Sequence, residues 1–210
     1  MENDRFDKNI SRCLPVKVAR AHAAGDIAAR RKSLQTAVKW ARLGPDSAAW
    51  SSALFTGPTG AGKSWAAAIV VANEPYSFDR PVPRDCVGGG STVCSRWESV
   101  PGGLYVTAIE LGRLVMGAHL GRPSARLQWL KACPLVAVDD LGREVFDQSG
   151  YIKDGLFEFL TGRFDSEQRT IVTTNLNDSA LSERYGSALF DRFQAHGIVC
   201  ELDETDYVRE

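Results

Sequence analysis

Residues 57–64 read GPTGAGKS, and this octapeptide restricts the fold of the chain more than any other stretch. A glycine, four further residues and then Gly-Lys-Ser make the phosphate-loop pattern. With average residue usage, a chain of this length meets the pattern by accident on the order of once in a hundred. The residue types follow from the chemistry. In the loop Gly57-Pro58-Thr59-Gly60-Ala61-Gly62 the glycines allow backbone conformations that a side chain forbids, so successive N–H groups can turn inward on phosphate oxygens. A helix starting near Gly62 adds its positive dipole end. Lys63 then reaches the β and γ phosphates, and the Ser64 hydroxyl ligates magnesium, so the ligands expected are ATP and Mg2+. The flanks agree: SSALFT (51–56) reads as a short buried strand and SWAAAIVVAN (64–73) as an alanine-rich helix.

A chain of 210 residues accommodates one well-buried α/β domain and a small appendage. The expected division is a basic helical segment, 1–45, and an ATPase domain, 46–210. The charge distribution marks the boundary: residues 1–45 carry ten Lys/Arg and four Asp/Glu, whereas the whole chain has a net charge of −1. Within 14–43 the pattern predicts two helices broken at Gly25-Asp26. In the second, Ile27, Leu34, Val38 and Ala41 form an apolar stripe among Arg30, Arg31, Lys32, Lys39 and Arg42, and Gly44-Pro45 ends it. Such a surface is either a docking face for a partner protein or nucleic acid, or a solvated cationic face packed on its own domain. No apolar run approaches the roughly 18 to 20 residues that span a bilayer. The polar start MENDRFDKN lacks the apolar core of a signal peptide, so a cytoplasmic protein without membrane contact is expected. Five scattered cysteines form no CxxC pair. Cys133 and Cys200 lie in apolar strand contexts and read as core thiols, Cys86 and Cys94 flank a glycine-rich loop, and Cys13 stands alone.

Residues 74–103, rich in Pro and Gly, read as a long loop or small insertion. Beyond them strand-like and helix-like stretches alternate: LYVTA, IELGRLVMGAHL, RPSARLQWLKA, CPLVAVDDLG, GYIKDGLFEFLTGRF, RTIVTTNLN and LFDRFQAHGIVCEL. That alternation implies a mostly parallel sheet covered by helices on both faces.

The reaction must come from outside the phosphate loop. PLVAVDD (134–140) is an apolar strand ending in two carboxylates. Asp139 is the candidate to hold magnesium through Ser64 or water, and Asp140 the candidate to orient or deprotonate an attacking water; the alternative is an Asp pair that caps a turn. TIVTTN ends in Asn175, whose amide suits either a water and γ-phosphate contact or a strand-end turn, with Thr174 a weaker candidate beside it. Positive charge on the γ phosphate in the transition state is worth on the order of a thousandfold or more in rate. Arg192 in LFDRF and Arg184 in SERYG are both candidates for an arginine finger offered to a neighbouring subunit.

Taken together, FTGPTGAGKS, LYVTAIELGRLV, PLVAVDDLG, IVTTNLN and LSERYGSALFDRF resemble the AAA+ ATPases of the DnaC/IstB group, the bacterial replicative-helicase loaders and transposition helper ATPases, over residues 51–209. The resemblance implies a P-loop NTPase core with a five-stranded, mostly parallel sheet and no C-terminal helical lid; the short helical N-terminal extension, read from its own pattern, shows no motif of the group. It assigns Lys63 and Ser64 to nucleotide and metal, Asp139 and Asp140 to the Walker B acids, Asn175 to sensor 1 and Arg192 to the finger, with Arg209 near a further C-terminal arginine of relatives. It also implies that Arg113, Arg122, Arg126 and Lys131 line a channel for single-stranded DNA, unless they are a solvated helix face.

The expected function is therefore ATP-dependent loading of a replicative helicase by a homo-oligomer that grips single-stranded DNA. The rivals are a transposition helper that engages duplex DNA and a transposase, and a nucleotide-dependent switch with negligible turnover.

Overall fold

The computed structural model describes residues 39–40, 51–72, 77–81, 97–101, 103–122, 124–145 and 148–202. The helices expected within 14–43, apart from residues 39–40, which are helical, the thiols Cys13, Cys86 and Cys94, and Arg209 lie outside the described residues.

Strand β1 (Ser52–Thr56) is buried throughout, as a strand covered on both faces must be. The phosphate loop leads from it into helix α1 (Lys63–Ala72). Strand β4 (Leu104–Thr107) runs into α2 (Ala108–His119), and α3 (Ala125–Ala132) precedes β5 (Leu135–Leu141). Helix α4 (Tyr151–Asp165), strand β6 (Arg169–Thr174), helices α5 (Asp178–Tyr185) and α6 (Ser187–His196) and strand β7 (Gly197–Glu201) follow. The main sheet has the order β4-β5-β6-β1-β7 with every pairing parallel, the α/β architecture expected from the alternation. All its strands thus point their carboxyl ends to one edge, where crevices form beside β1.

Period-two alternation divides the interior into two layers. Leu54, Val136, Val138 and Val172 pack with Leu111, Leu156, Leu160 and Phe193 on one face. Ala53, Phe55, Ala137 and Ile171 face α1 on the other, where Ala66, Ala67 and Ala68 bring the helix close to the sheet. Helix starts follow side-chain caps: Thr107 Oγ1 accepts from Glu110 N at 3.1 Å, and Asn177 Oδ1 from Ala180 N at 2.9 Å.

Two features add to the expectation. Within the 74–103 insertion, β2 (Ser77–Pro81) and β3 (Trp97–Pro101) pair antiparallel as a separate ribbon. Pro81 and Pro101 are tolerated because each strand of a two-stranded ribbon is an edge. Trp40, from the segment assigned to the N-terminal arm, is buried in the α1-side core, with the Arg169 guanidinium 4.5 Å above its ring. Cys133 is a core thiol as expected, whereas Cys200, on the edge strand β7, is half-buried. Among the described residues no helix is long and apolar enough to cross a membrane.

Candidate functional site

At the carboxyl edge of the sheet the chain leaves β1 through Gly57, Gly60 and Gly62, all with positive φ. Gly57 is required twice over: its φ is +134°, and a Cβ there would lie 2.1 Å from the carbonyl oxygen of Leu202. Leu202 is fixed by its own N–H, which donates to Thr56 O at 2.8 Å, so β7 braces the loop. Lys63 opens α1 and is buried; its ammonium donates to Gly57 O at 2.8 Å and Pro58 O at 2.7 Å. Burial lowers its pKa, against Asp140 and then Asp139, whose charges raise it. Lys63 and both acids therefore act on one another across the mouth of the loop.

The acids owe their placement to an irregularity. Val138 pairs with Val172, but the next matched pair is Leu141 with Thr174, so β5 spends one more residue than β6 over this step. The extra residue takes a left-handed conformation, φ +58° at Asp140, which costs a non-glycine residue about 1–2 kcal/mol. The Thr173 hydroxyl fills the bulge, accepting from Asp140 N at 2.9 Å and donating to Asp139 Oδ1 at 2.5 Å. Asp139 is thereby buried and fixed, while the Asp140 carboxylate is partly open and receives Arg143 Nη1 at 3.5 Å. Burial and then the Asp139 charge push the Asp140 carboxyl above the usual carboxylate range, against Arg143 and Lys63. A raised pKa beside a fixed acid and a buried lysine is the electrostatic character of a reactive site.

Sequence reasoning placed a weak candidate at Thr174, but that hydroxyl donates to Leu141 O at 2.6 Å and accepts from Leu176 N, away from the acids. Thr173 is the residue it missed, and the strand alternation that puts Thr173 on the same face as Ile171 was the available signal. Tyr105 was also missed: its buried hydroxyl has no hydrogen-bond partner among the described residues. Burial and then Asp139 push its pKa up, while Ser64 pulls the other way, so it neighbours both metal candidates. Ser64 and the Asp139 carboxylate are oxygen groups suited to a hard cation such as magnesium, and the phenol lies beside them.

Asn175 is exposed directly after β6, at the same edge of the sheet. The two finger candidates are held differently. Arg184, on α5, is paired with Glu144 at 3.3 Å, and the buried Glu144 also accepts from Gly142 N and the Tyr185 hydroxyl. Arg192, on α6, pairs with Asp165, and both side chains lie at the surface. Of the four cations expected to meet DNA, Arg113, Arg122 and Lys131 are exposed. Arg126 is occupied within the domain, reaching Glu110 Oε1 at 2.5 Å and Tyr105 O at 3.2 Å.

No protein-family model and no curated protein matches the chain. Solved structures do. The crystal structure of the DnaC helicase loader superposes with a TM-score of 0.60 at 17% identity, covering 81% of this chain and 88% of that one. The chain shares its fold with that loader. The crystal structure of DnaI matches with a TM-score of 0.59 at 17% identity over 93% of each chain. The replication initiator DnaA, bound to AMPPCP and single-stranded DNA, matches at 0.52 and 14% identity over 84% of this chain and 47% of its own. The five-stranded parallel architecture expected from the motifs is thus the fold adopted, with Lys63, Asp139 and Asp140 at the carboxyl edge of its sheet.

Proposed function

We propose that this chain is an ATPase that loads a replicative helicase. The observation that carries the reading is the convergence of Lys63, Asp139 and Asp140, with Thr173 fixing both acids, on a fold shared with a helicase loader. Lys63 would leave the loop carbonyls for the β and γ phosphates, while loop N–H groups of residues 57–64 hold the phosphate oxygens. Ser64 and Asp139 would hold magnesium, which offsets charge on the transferring phosphoryl group. Asp140 orients the attacking water or takes its proton, and its raised pKa favours the second role. Asn175 contacts that water or the γ phosphate.

Arg192 is the better finger, because exchanging an exposed carboxylate partner for a neighbour's phosphate costs less than uncovering the buried Glu144. Exposed Arg113, Arg122 and Lys131 suit backbone contacts to single-stranded DNA, and the basic segment preceding Trp40 suits the helicase. Assembly of ATP-bound subunits completes each site, and hydrolysis releases the DNA.

ATPase rate against added single-stranded and duplex DNA at two salt concentrations tests this. Stimulation by single strands, weakening with salt, is expected. Stimulation confined to duplex would instead make the chain a transposition helper, and ATP binding without turnover would make it a switch.

A further inference from the structure

Tyr105 stands on β4 opposite Ala137, in register with the stretch of β5 that ends two residues later at Asp139. Residues two apart on a strand share a face, and Tyr105 packs in the core on the α1 side, where Ser64 begins its helix. Its ring is core filling that phenylalanine would supply equally well. The hydroxyl is the part that packing does not explain, because it is buried, has no hydrogen-bond partner among the described residues, and sits where Asp139 and Ser64 act on it. Buried polar atoms without partners are rare in native folds and call for a reason.

We propose that Tyr105 is a positioning residue of the magnesium site, its phenol oxygen holding a water of the ion's shell beside Ser64 and Asp139. This rests on the ATPase reading above. The chemistry of the donor set supports it. Magnesium dehydrates reluctantly and keeps several waters when bound by few carboxylates. Metal-bound water donates hydrogen bonds, which a phenol oxygen can accept. Thr173 holds Asp139 through Oδ1, which fixes the carboxylate beside the phenol. The Tyr105 carbonyl is tied to Arg126 at 3.2 Å, and that guanidinium to Glu110, which anchors the strand carrying the ring. Partners that orient metal ligands from behind change metal affinity by roughly 10–100-fold when removed.

The test compares the full chain with Tyr105→Phe, using a fluorescent ATP analogue in EDTA and then across a Mg2+ titration, alongside thermal unfolding without metal. The expected result is analogue affinity in EDTA within about twofold of the parent and a Tm unchanged or raised, because a buried unsatisfied hydroxyl has been removed. The Mg2+ midpoint should rise roughly tenfold. An unchanged midpoint overturns the proposal. So does a lowered Tm with analogue binding weakened equally in EDTA and in Mg2+, which would make the hydroxyl a structural group. Failure of the parent protein itself to bind the analogue would instead remove the ATPase reading on which the proposal rests.

Discussion

Arg163 and Lys63 are both buried cations on helices flanking the same parallel sheet, one at the amino end of its strands and one at the carboxyl end. Arg163, on α4, is 2% exposed and faces no carboxylate among the described residues. It is saturated instead: Nε donates to Thr170 Oγ1 at 2.9 Å, Nη1 to Leu130 O at 2.8 Å and Cys133 O at 2.9 Å, and Nη2 to Arg169 O at 2.7 Å. Burial pushes its pKa down to about 10, which leaves it charged at neutral pH. It rivets α3, α4 and the starts of β5 and β6. At the other end Lys63 takes two carbonyls of its own loop, Asp140 is held in a strained conformation with a raised pKa, and the Tyr105 hydroxyl lacks a hydrogen-bond partner among the described residues. A saturated buried cation specifies the fold, whereas a strained acid with a raised pKa beside a buried lysine marks where a ligand belongs.

The comparison predicts that damage at the two ends separates into stability and activity. Arg163→Met, which orphans several carbonyls at once, should cost about 3–5 kcal/mol in urea unfolding, with ATP affinity of the folded fraction unchanged. Equal loss of both would erase the distinction. Lys63→Ala and Asp140→Asn should each lower ATP turnover by roughly a hundredfold or more, about 3 kcal/mol in the barrier, with no loss of unfolding free energy. Arg184→Ala should fall between the ends, losing about 1–3 kcal/mol of stability because Glu144 stays buried without its cation. Arg192→Ala should cost under about 1 kcal/mol yet lose DNA-stimulated turnover, and mixing it with Asp140→Asn subunits should restore some; no recovery on mixing would mean that the finger is not shared.

The smallest effect is a pH dependence. Because the folded state raises the Asp140 pKa, it binds that proton more tightly than the unfolded chain does. The ionised carboxylate therefore subtracts stability at neutral pH, and the loss fades as pH falls through the folded pKa toward about 4. Metal-free Asp140→Asn should be more stable than the parent at neutral pH, by a margin that shrinks on acidification; a constant margin would contradict the raised pKa.

The phosphate loop and the β5 acids were legible because each is a local pattern: glycines beside a Gly-Lys-Ser, and a fully apolar run that stops at two aspartates. What stayed hidden depends on pairing between distant segments. Thr173 and not Thr174 meets the acids because a one-residue bulge sets the register between β5 and β6. Arg126 reads as a free helix cation until α2 places Glu110 against it, and Arg184 reads as a surface arginine until Glu144 is buried beneath it. Proline and glycine made the 74–103 insertion look like loop, although Ser77–Pro81 and Trp97–Pro101 pair across it. Trp40 gave no periodic signal, so a cut at residue 45 would remove a core side chain, and a truncation testing the basic arm should stop before Lys39.

The most direct test of the central claim is equilibrium titration of the folded protein with a fluorescent ATP analogue in Mg2+, set beside Lys63→Ala of matched unfolding free energy. Saturable binding that the variant loses is the predicted result. Binding that is absent in the parent, or equal in the two proteins, would contradict the assignment of the carboxyl edge as a nucleotide site.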